Sequence, residues 1–207
     1  MTLYKFLTAE GCGPYSKSKW SLPANGQPGD WMPKVEELVM CEAGYHACRE
    51  KNLTDWIDTT CYEFEYRGEL LEGDDKVVVQ EARLVRKLNW DAKAARLFAC
   101  DCAERVLPLF EKEYPNDARP RKSIKVARDH ANGEATFAQL KAAKDAAWAA
   151  SGAAWAASDA VSAAANAAAG GAAWAASDAA RAAAKAAASD VRDWPNRLLV
   201  DYLEGRE

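Results

Sequence analysis

Four residues between positions 41 and 61 are of the types that bind zinc: Cys41, His46, Cys48 and Cys61. Thiolate and imidazole groups are the usual ligands of structural zinc, but a gap of the form Cys-x6-Cys lacks the close Cys-x2-Cys pair of a zinc knuckle. We therefore expect no metal or other cofactor. His46 is predicted to order its turn through local hydrogen bonds, and the cysteines to be small buried residues.

The same region could instead recognise a small molecule, because aromatic rings and an imidazole can hold a planar ligand. The segment Gly44-Tyr45-His46, followed by strands that end in Gly-Glu, resembles ADP-ribosyltransferase-like folds. That resemblance implies binding of a nucleotide or ADP-ribose-type ligand, or transferase activity, although the His-Gly-Thr type of motif is missing. The candidate ligand residues are Tyr15, Trp20, Tyr45 and His46.

A third set of side chains is charged and lies in the second half of the chain: Asp101, Glu104, Arg105, Arg119 and Arg121. These residues could form a polar site at one end of a helical bundle, or ion pairs and helix caps between its first two helices. The sequence contains no Ser-His-Asp, P-loop, dinucleotide or metal signature. We therefore predict no catalytic residues, and a non-enzymatic protein is favoured.

The elements that position these residues divide near Trp90, where an aromatic, glycine-rich composition gives way to helical patterns. This change predicts an α+β protein with a mostly antiparallel β module over residues 1–90 and a helical bundle over residues 91–207. In the first module we predict strands at Leu3–Leu7, Glu37–Cys41, Cys61–Leu70 and Lys76–Leu88, with a long irregular stretch between the first two.

In the second module, Asp91 is the predicted N-cap of a helix that ends near Glu113 and buries an apolar face that includes Leu109. A second helix begins at Pro120 and ends at Asn132-Gly133, and Thr136 begins a third. The closing helix is amphipathic and follows Trp194-Pro195.

Between these helices, 29 of the 47 residues from Ala142 to Ala188 are alanine. Gly152–Ala169 is repeated almost exactly as Gly171–Ala188, and alanine is the strongest helix former. The Gly170-Gly171 pair should interrupt the helix, because glycine ends helices readily. We predict a helical hairpin of residues 136–169 and 172–190.

The tryptophans of this run recur at intervals that place them on one stripe. They could pack between the helices of the hairpin, lie in a homodimer interface of the alanine-rich helices, or bind a protein partner. The candidate partner-binding residues are Trp148, Trp155, Trp174, Asp159, Asp178 and Arg181.

Two segments resemble known families. The run CEAGYHAC at Cys41–Cys48, with Arg67-Gly68-Glu69 and Asp74-Asp75-Lys76, resembles an uncharacterised bacteriophage domain over about residues 3–88. The run DCAERVL at Asp101–Leu107, with Arg119-Pro120-Arg121 and Gly133-Glu134, resembles the immunity-protein-5-like family over about residues 93–203. The second resemblance implies an all-helical module that neutralises a toxin by binding it.

The formal net charge of −4 argues against broad nucleic-acid binding, which needs a basic surface. The first residues lack the apolar core of a signal peptide, and the alanine run carries too many charges to span a membrane. Six cysteines without a secretion signal are typical of a reduced, cytoplasmic protein. The two family resemblances, together with the lack of a catalytic signature, imply a phage- or mobile-element-encoded binding protein that blocks a toxin or a bacterial defence effector.

Overall fold

The computed structural model describes residues 2–150 (147–150 as backbone only), 178–180, 182 and 193–206. The chain divides into two compact units. The sheet unit contains residues 1–90 and 200–207, and the helical unit contains residues 91–199. The first is built on an antiparallel sheet and the second on helices, so the predicted α+β fold class is confirmed.

The sheet unit has a four-stranded sheet in the order β1-β3-β4-β2. Its strands are β1 (Leu3–Leu7), β2 (Tyr45–Ala47), β3 (Thr60–Glu72) and β4 (Val77–Lys87), and all neighbouring strands are antiparallel. A short 3-10 helix, Glu50–Asp55, follows β2. The bounds of β1 match the prediction, and β3 and β4 confirm the two long predicted strands.

A bulge interrupts the pairing of β3 with β4 at Gly68. Gly68 has a φ of 78°, a conformation that glycine adopts without steric cost. Beside it, the backbone N–H of Glu69 donates to Oε1 of the buried Gln80 at 3.0 Å. The Nε2 of Gln80 donates in turn to the carbonyl of Glu36 at 3.2 Å. The buried amide is thus hydrogen-bonded at both ends, to the bulge through Oε1 and to the loop before β2 through Nε2.

The long loop between β1 and β2 covers part of the free edge of β4. The backbone N–H groups of Gly29, Met32 and Val35 donate to carbonyls of β4 at 2.8–3.0 Å. This coverage satisfies backbone groups that an exposed sheet edge would leave unpaired.

The predicted strand Glu37–Cys41 is wrong. Val39 pairs only with Ala43, across a tight turn in which Cys41 has a φ of 68° and Gly44 a φ of 112°. A Cβ at Gly44 would collide with the side chains of Leu38 and Val78, so the chain passes too close to β4 there for any residue but glycine.

The helical unit begins with α1 (Ala92–Glu113), α2 (Arg119–Ala131) and α3 (Phe137–Ala150). The carboxylate of Asp91 accepts hydrogen bonds from the backbone N–H groups of Lys93 and Ala94, both at 2.8 Å, so the predicted N-cap is confirmed. Leu109, predicted to face inward, is 50% exposed, and Leu107 is buried instead.

Each of the two units has its own set of buried apolar side chains. In the sheet unit, Leu3, Leu7, Trp20, Phe64 and Leu84 belong to one cluster. In the helical unit, the buried face of α1 includes Phe98, Val106 and Phe110, and that of α2 includes Ile124 and Ala127. The last helix, α4 (Trp194–Glu204), contributes Leu203 to the sheet unit, where the carbonyl of Leu203 accepts from the N–H of Asn89 at 3.0 Å.

Candidate functional site

In the described part of the helical unit, Arg128 of α2 pairs with two carboxylates. Its Nη2 donates to Asp101 at 2.6 Å and to Glu104 at 2.7 Å. Asp101 and Glu104 are three residues apart on α1, so both lie on the face of the helix that meets α2. Partial burial works against the charge of Arg128, but hydrogen bonding and attraction to Asp101 keep its pKa above the ordinary value.

The other predicted members of this charged set take separate partners. Arg121 makes a two-pronged contact with Glu111 at 2.7 Å for both nitrogens, and Arg119 binds Asp117 at 2.8 and 2.6 Å. The guanidinium of Arg105 lies 4.9 Å from the ring centroid of Trp194. The five residues therefore do not converge on one point. Two arginines of α2 join it to α1: Arg121, and Arg128, which the candidate set left out.

The predicted tryptophan surface lies mostly outside the described residues. Trp155, Trp174, Asp159 and Arg181 fall there, and the predicted hairpin of residues 136–169 and 172–190 is described only in part. Trp148 is described as part of the backbone of α3, and Asp178 is exposed. The partner-binding role of these residues and the homodimer through the alanine-rich helices stay predictions.

The sheet unit contains a cleft of about 590 Å³ around His46. Two of the four candidate ligand residues, Tyr15 and His46, line it, and their ligand-binding role stays a prediction. Trp20 and Tyr45 do not line it but pack on each other edge to face, with ring planes 72° apart and ring centroids 5.5 Å apart, and Trp20 is buried in the core.

His46 holds the turn beside this cleft. Its Nε2 accepts a hydrogen bond of 3.0 Å from the backbone N–H of Cys41. Burial, together with the positive charges of Lys5 and Lys76, lowers the pKa of His46, so the imidazole is neutral at pH 7. This local hydrogen bond is the role that the sequence predicted for His46.

The lining also includes residues outside the predicted ligand set, among them Lys5, Trp56 and Lys76. Lys5 is the only charged residue of β1 and lies between Tyr4 and Phe6, which are buried. A single lysine inside a short apolar strand is a signal that could have identified it. Burial lowers the pKa of Lys5 to about 8.

The candidate zinc ligands are not gathered into a site. Cys41 is exposed, whereas Cys48 and Cys61 are buried, and burial raises the pKa of the Cys48 thiol to about 12. Burial also raises the pKa of Cys61 well above its ordinary value. Across the part of the chain that the structure describes, no group of three or more His, Cys, Asp or Glu side chains is placed to hold a metal ion.

Among the helices in the described ranges, none combines the length and the apolar character needed to cross a bilayer.

Comparison with known proteins finds a similarity in the helical half. Residues 91–190 match the model of the family described as "Imm-5 like putative immunity protein". The match begins at Asp91, the N-cap of α1, and covers α1, α2 and α3. No curated protein and no solved structure matches the chain.

The family match does not extend to residues 1–90, so the resemblance of that half to a bacteriophage domain stays a prediction. For the other half, the resemblance inferred from the motifs at Asp101–Leu107 and Arg119–Arg121 is confirmed: the C-terminal half of the chain is similar to the Imm-5-like immunity proteins.

Proposed function

We propose that the helical unit binds and neutralises a protein toxin or a bacterial defence effector. The observation that carries this proposal is the match of residues 91–190 to a family described as immunity proteins. An immunity protein acts by occupying a surface of its target, so it needs an ordered face and no catalytic group. We further propose that a phage or another mobile element encodes the chain, and that it acts in the cytoplasm.

The pair α1–α2 supplies an ordered face. Ion pairs fix the two helices on each other at Arg128 and Arg121, and these side chains keep part of their surface in solvent. Ion pairs with defined geometry favour specific recognition, because a partner must match a fixed pattern of charge.

The exposed side of α2 is basic. Arg121, Lys122 and Lys125 are exposed, and within the described residues Lys122 makes no ion pair. Leu109 of α1 and Phe137 of α3 are apolar side chains that are 50% and 57% exposed. A partner surface that carries acidic groups would complement the exposed side of α2. The tryptophans of the alanine run are the alternative contact surface.

The proposal is tested by co-expressing the full chain in bacteria with toxins encoded beside its gene and measuring growth. We expect one toxin to be neutralised. If α2 carries the contact, Lys122→Glu with Lys125→Glu abolishes protection; if the tryptophans do, the Trp148/Trp155/Trp174→Ala variant abolishes it. Lys87→Glu in the sheet unit is the control and should protect fully, because Lys87 is exposed on β4. Protection that survives both variants would rule out both surfaces.

The cleft at His46 favours a second function, binding of a small ligand by the sheet unit. Its volume of about 590 Å³ falls within the range of small-molecule sites, and polar and aromatic side chains share its lining. A purely structural role as a helical dimer is the remaining alternative, and a monomeric chain in solution would exclude it.

A further inference from the structure

The cleft of the sheet unit carries positive charge at two points of its lining, Lys5 and Lys76. The imidazole of His46 also lines the cleft, but it is neutral at pH 7 and already accepts a hydrogen bond from the backbone N–H of Cys41. One carboxylate, that of the exposed Glu42, also lines the cleft. The ammonium groups therefore outnumber the carboxylates in the lining.

Lys5 is the unusual member of this pair. Its Nζ donates to the carbonyl of His46 at 2.6 Å and lies 5.5 Å from the ring centroid of Trp20. Within the described residues, no carboxylate lies within ion-pair distance of it. A partly buried ammonium that has only a carbonyl and a ring face as partners is short of a counter-charge, because buried charges in proteins are normally paired.

Lys76 and the aromatic side of the cleft are better anchored. The Nζ of Lys76 lies 3.3 Å from Asp75 and 4.9 Å from the ring centroid of Trp56. The indole N–H of Trp56 donates to the carbonyl of Asp75 at 2.9 Å, which fixes the plane of the ring. Tyr15 meets Trp56 edge to face at 5.9 Å and is 78% exposed, so it forms a lip of the cleft.

We propose that this cleft binds a small organic anion that carries a planar ring, with the anionic group at Lys5 and Lys76 and the ring beside Trp56 and Tyr15. An anion would supply the counter-charge that Lys5 lacks, and a flat ring would pack on the aromatic lip. The inference rests on the second proposed function, small-ligand binding by the sheet unit, and is independent of toxin neutralisation.

The test is a calorimetric titration of the full chain with phenyl phosphate, and with inorganic phosphate, phenol and benzylamine as comparisons. We expect saturable binding of phenyl phosphate and at least tenfold weaker binding of the three comparison compounds. Equal binding of phenol or benzylamine would overturn the anionic class while leaving small-ligand binding in place. Binding of none of the four compounds would overturn the inference, and the second proposed function with it.

Two variants make the test specific. Lys5→Met keeps the length of the side chain and removes its charge, so it should fold and should weaken phenyl phosphate binding about tenfold or more. Lys87→Met removes an exposed lysine near the far end of β4 and should leave the affinity unchanged. A loss of affinity equal in both variants would show that net charge, and not this cleft, attracts the anion.

The pH dependence gives a further readout. Phenyl phosphate is a dianion above pH 7. Of the groups around Lys5, His46 is neutral there, Cys48 stays protonated and Lys76 stays charged with Asp75 beside it. Affinity should therefore fall between pH 7 and 9 as Lys5 loses its proton. In Lys5→Met that fall should vanish; if it persists, Lys5 does not bind the anion.

Discussion

At the scale of single residues, each unit has a partly buried cation, and the two cations differ in their partners. Arg128 is held by two carboxylates at 2.6 and 2.7 Å, whereas the partners of Lys5 are a carbonyl and a ring. A charge that is buried without a counter-charge raises the free energy of the folded state, and a charge that is matched by hydrogen-bonded partners does not. The two residues should therefore respond oppositely to removal of their charge.

Lys5→Met should stabilise the protein at neutral pH. The pKa of Lys5 is about 8 in the folded state and near its ordinary value of 10.5 in the unfolded chain, so folding is penalised below pH 8, where the folded protein still carries the charge. As pH rises from 8 toward 10.5, the wild type regains this stability and the difference from the variant shrinks. We expect a gain on the order of 1–2 kcal/mol at pH 7.

Urea unfolding of both proteins at pH 7 and pH 9.5 measures this difference. A variant that is less stable than the wild type at pH 7, or a gain that grows with pH, would contradict the account of Lys5.

Arg128→Met should destabilise the helical unit. The substitution removes the guanidinium that pairs with Asp101 and Glu104 of α1. The side chain of Arg128 is 32% exposed, so these pairs are partly shielded from solvent. We expect a loss of about 1–3 kcal/mol in the free energy of unfolding. Lys125→Met is the matched control, since Lys125 is 74% exposed and its pair with Asp129 should contribute less than about 0.5 kcal/mol. Unfolding of both variants is followed by circular dichroism at 222 nm. Equal losses in the free energy of unfolding would contradict this role of Arg128.

The residue scale is also where sequence reasoning reached least far. Of the four candidate ligand residues, Tyr15 and His46 line the cleft, whereas Trp20 and Tyr45, which are also aromatic, pack into the fold. Composition cannot separate a ring that lines a cleft from one that fills a core, because both functions use the same apolar surface. Ion pairs between the first two helices are one of the alternatives that the sequence leaves open, and which residues form them depends on how α1 and α2 pack.

At the scale of elements, the bulge at Gly68 shows how a single glycine sets the register of β3 on β4. Gly68→Ala should be strongly destabilising, because its φ is 78° and a Cβ there would collide with the side chain of Gln80. We expect a loss of about 2 kcal/mol or more. Gly26→Ala is the control: its φ is 75° but nothing lies within 4 Å, so only the backbone strain of about 1 kcal/mol applies.

Thermal or urea denaturation of Gly68→Ala and Gly26→Ala separates the cost of the collision with Gln80 from the cost of backbone strain. If both glycines cost the same, the contact with Gln80 contributes nothing and the bulge is not held by that amide.

Element existence was largely predictable, and the exceptions have local causes. β1, β3, β4, α1 and α2 follow from alternation, helical periodicity and capping residues that stand in the sequence. The segment Glu37–Cys41 carries a strand-like pattern, but the left-handed conformation of Cys41 and the close approach of Gly44 to Val78 turn the chain back. That approach is a tertiary contact, which a local pattern does not contain.

At the scale of the whole molecule, the reactivity of the cysteines shows whether the interiors of the two units exclude solvent. All six are free; Cys48, Cys61, Cys100 and Cys102 are buried, and burial raises the pKa of each. We predict that a thiol reagent at pH 8 modifies Cys41 quickly and Cys12 more slowly, because Cys12 is only partly exposed. The other four should react only in denaturant, as counted by mass spectrometry. Rapid modification of Cys100 or Cys102 in the native protein would show that the helical unit opens.

The division of the molecule also separates its two proposed functions. The family match falls on the helical unit, and the cleft lies in the sheet unit. Substitutions at Lys5 should therefore change binding of a small anion without changing toxin protection, and substitutions at Lys122 and Lys125 should do the reverse. A variant that abolishes both, while still folded, would contradict this assignment.

The most direct test of the central claim, neutralisation by binding, is calorimetric titration of the purified full chain with the toxin whose growth inhibition it relieves. We predict a saturable complex with a dissociation constant below about 1 µM, which corresponds to about −8 kcal/mol. Relief of growth inhibition with no heat of binding to the active toxin, at concentrations a hundredfold higher, would contradict the claim, since protection would then arise without a complex.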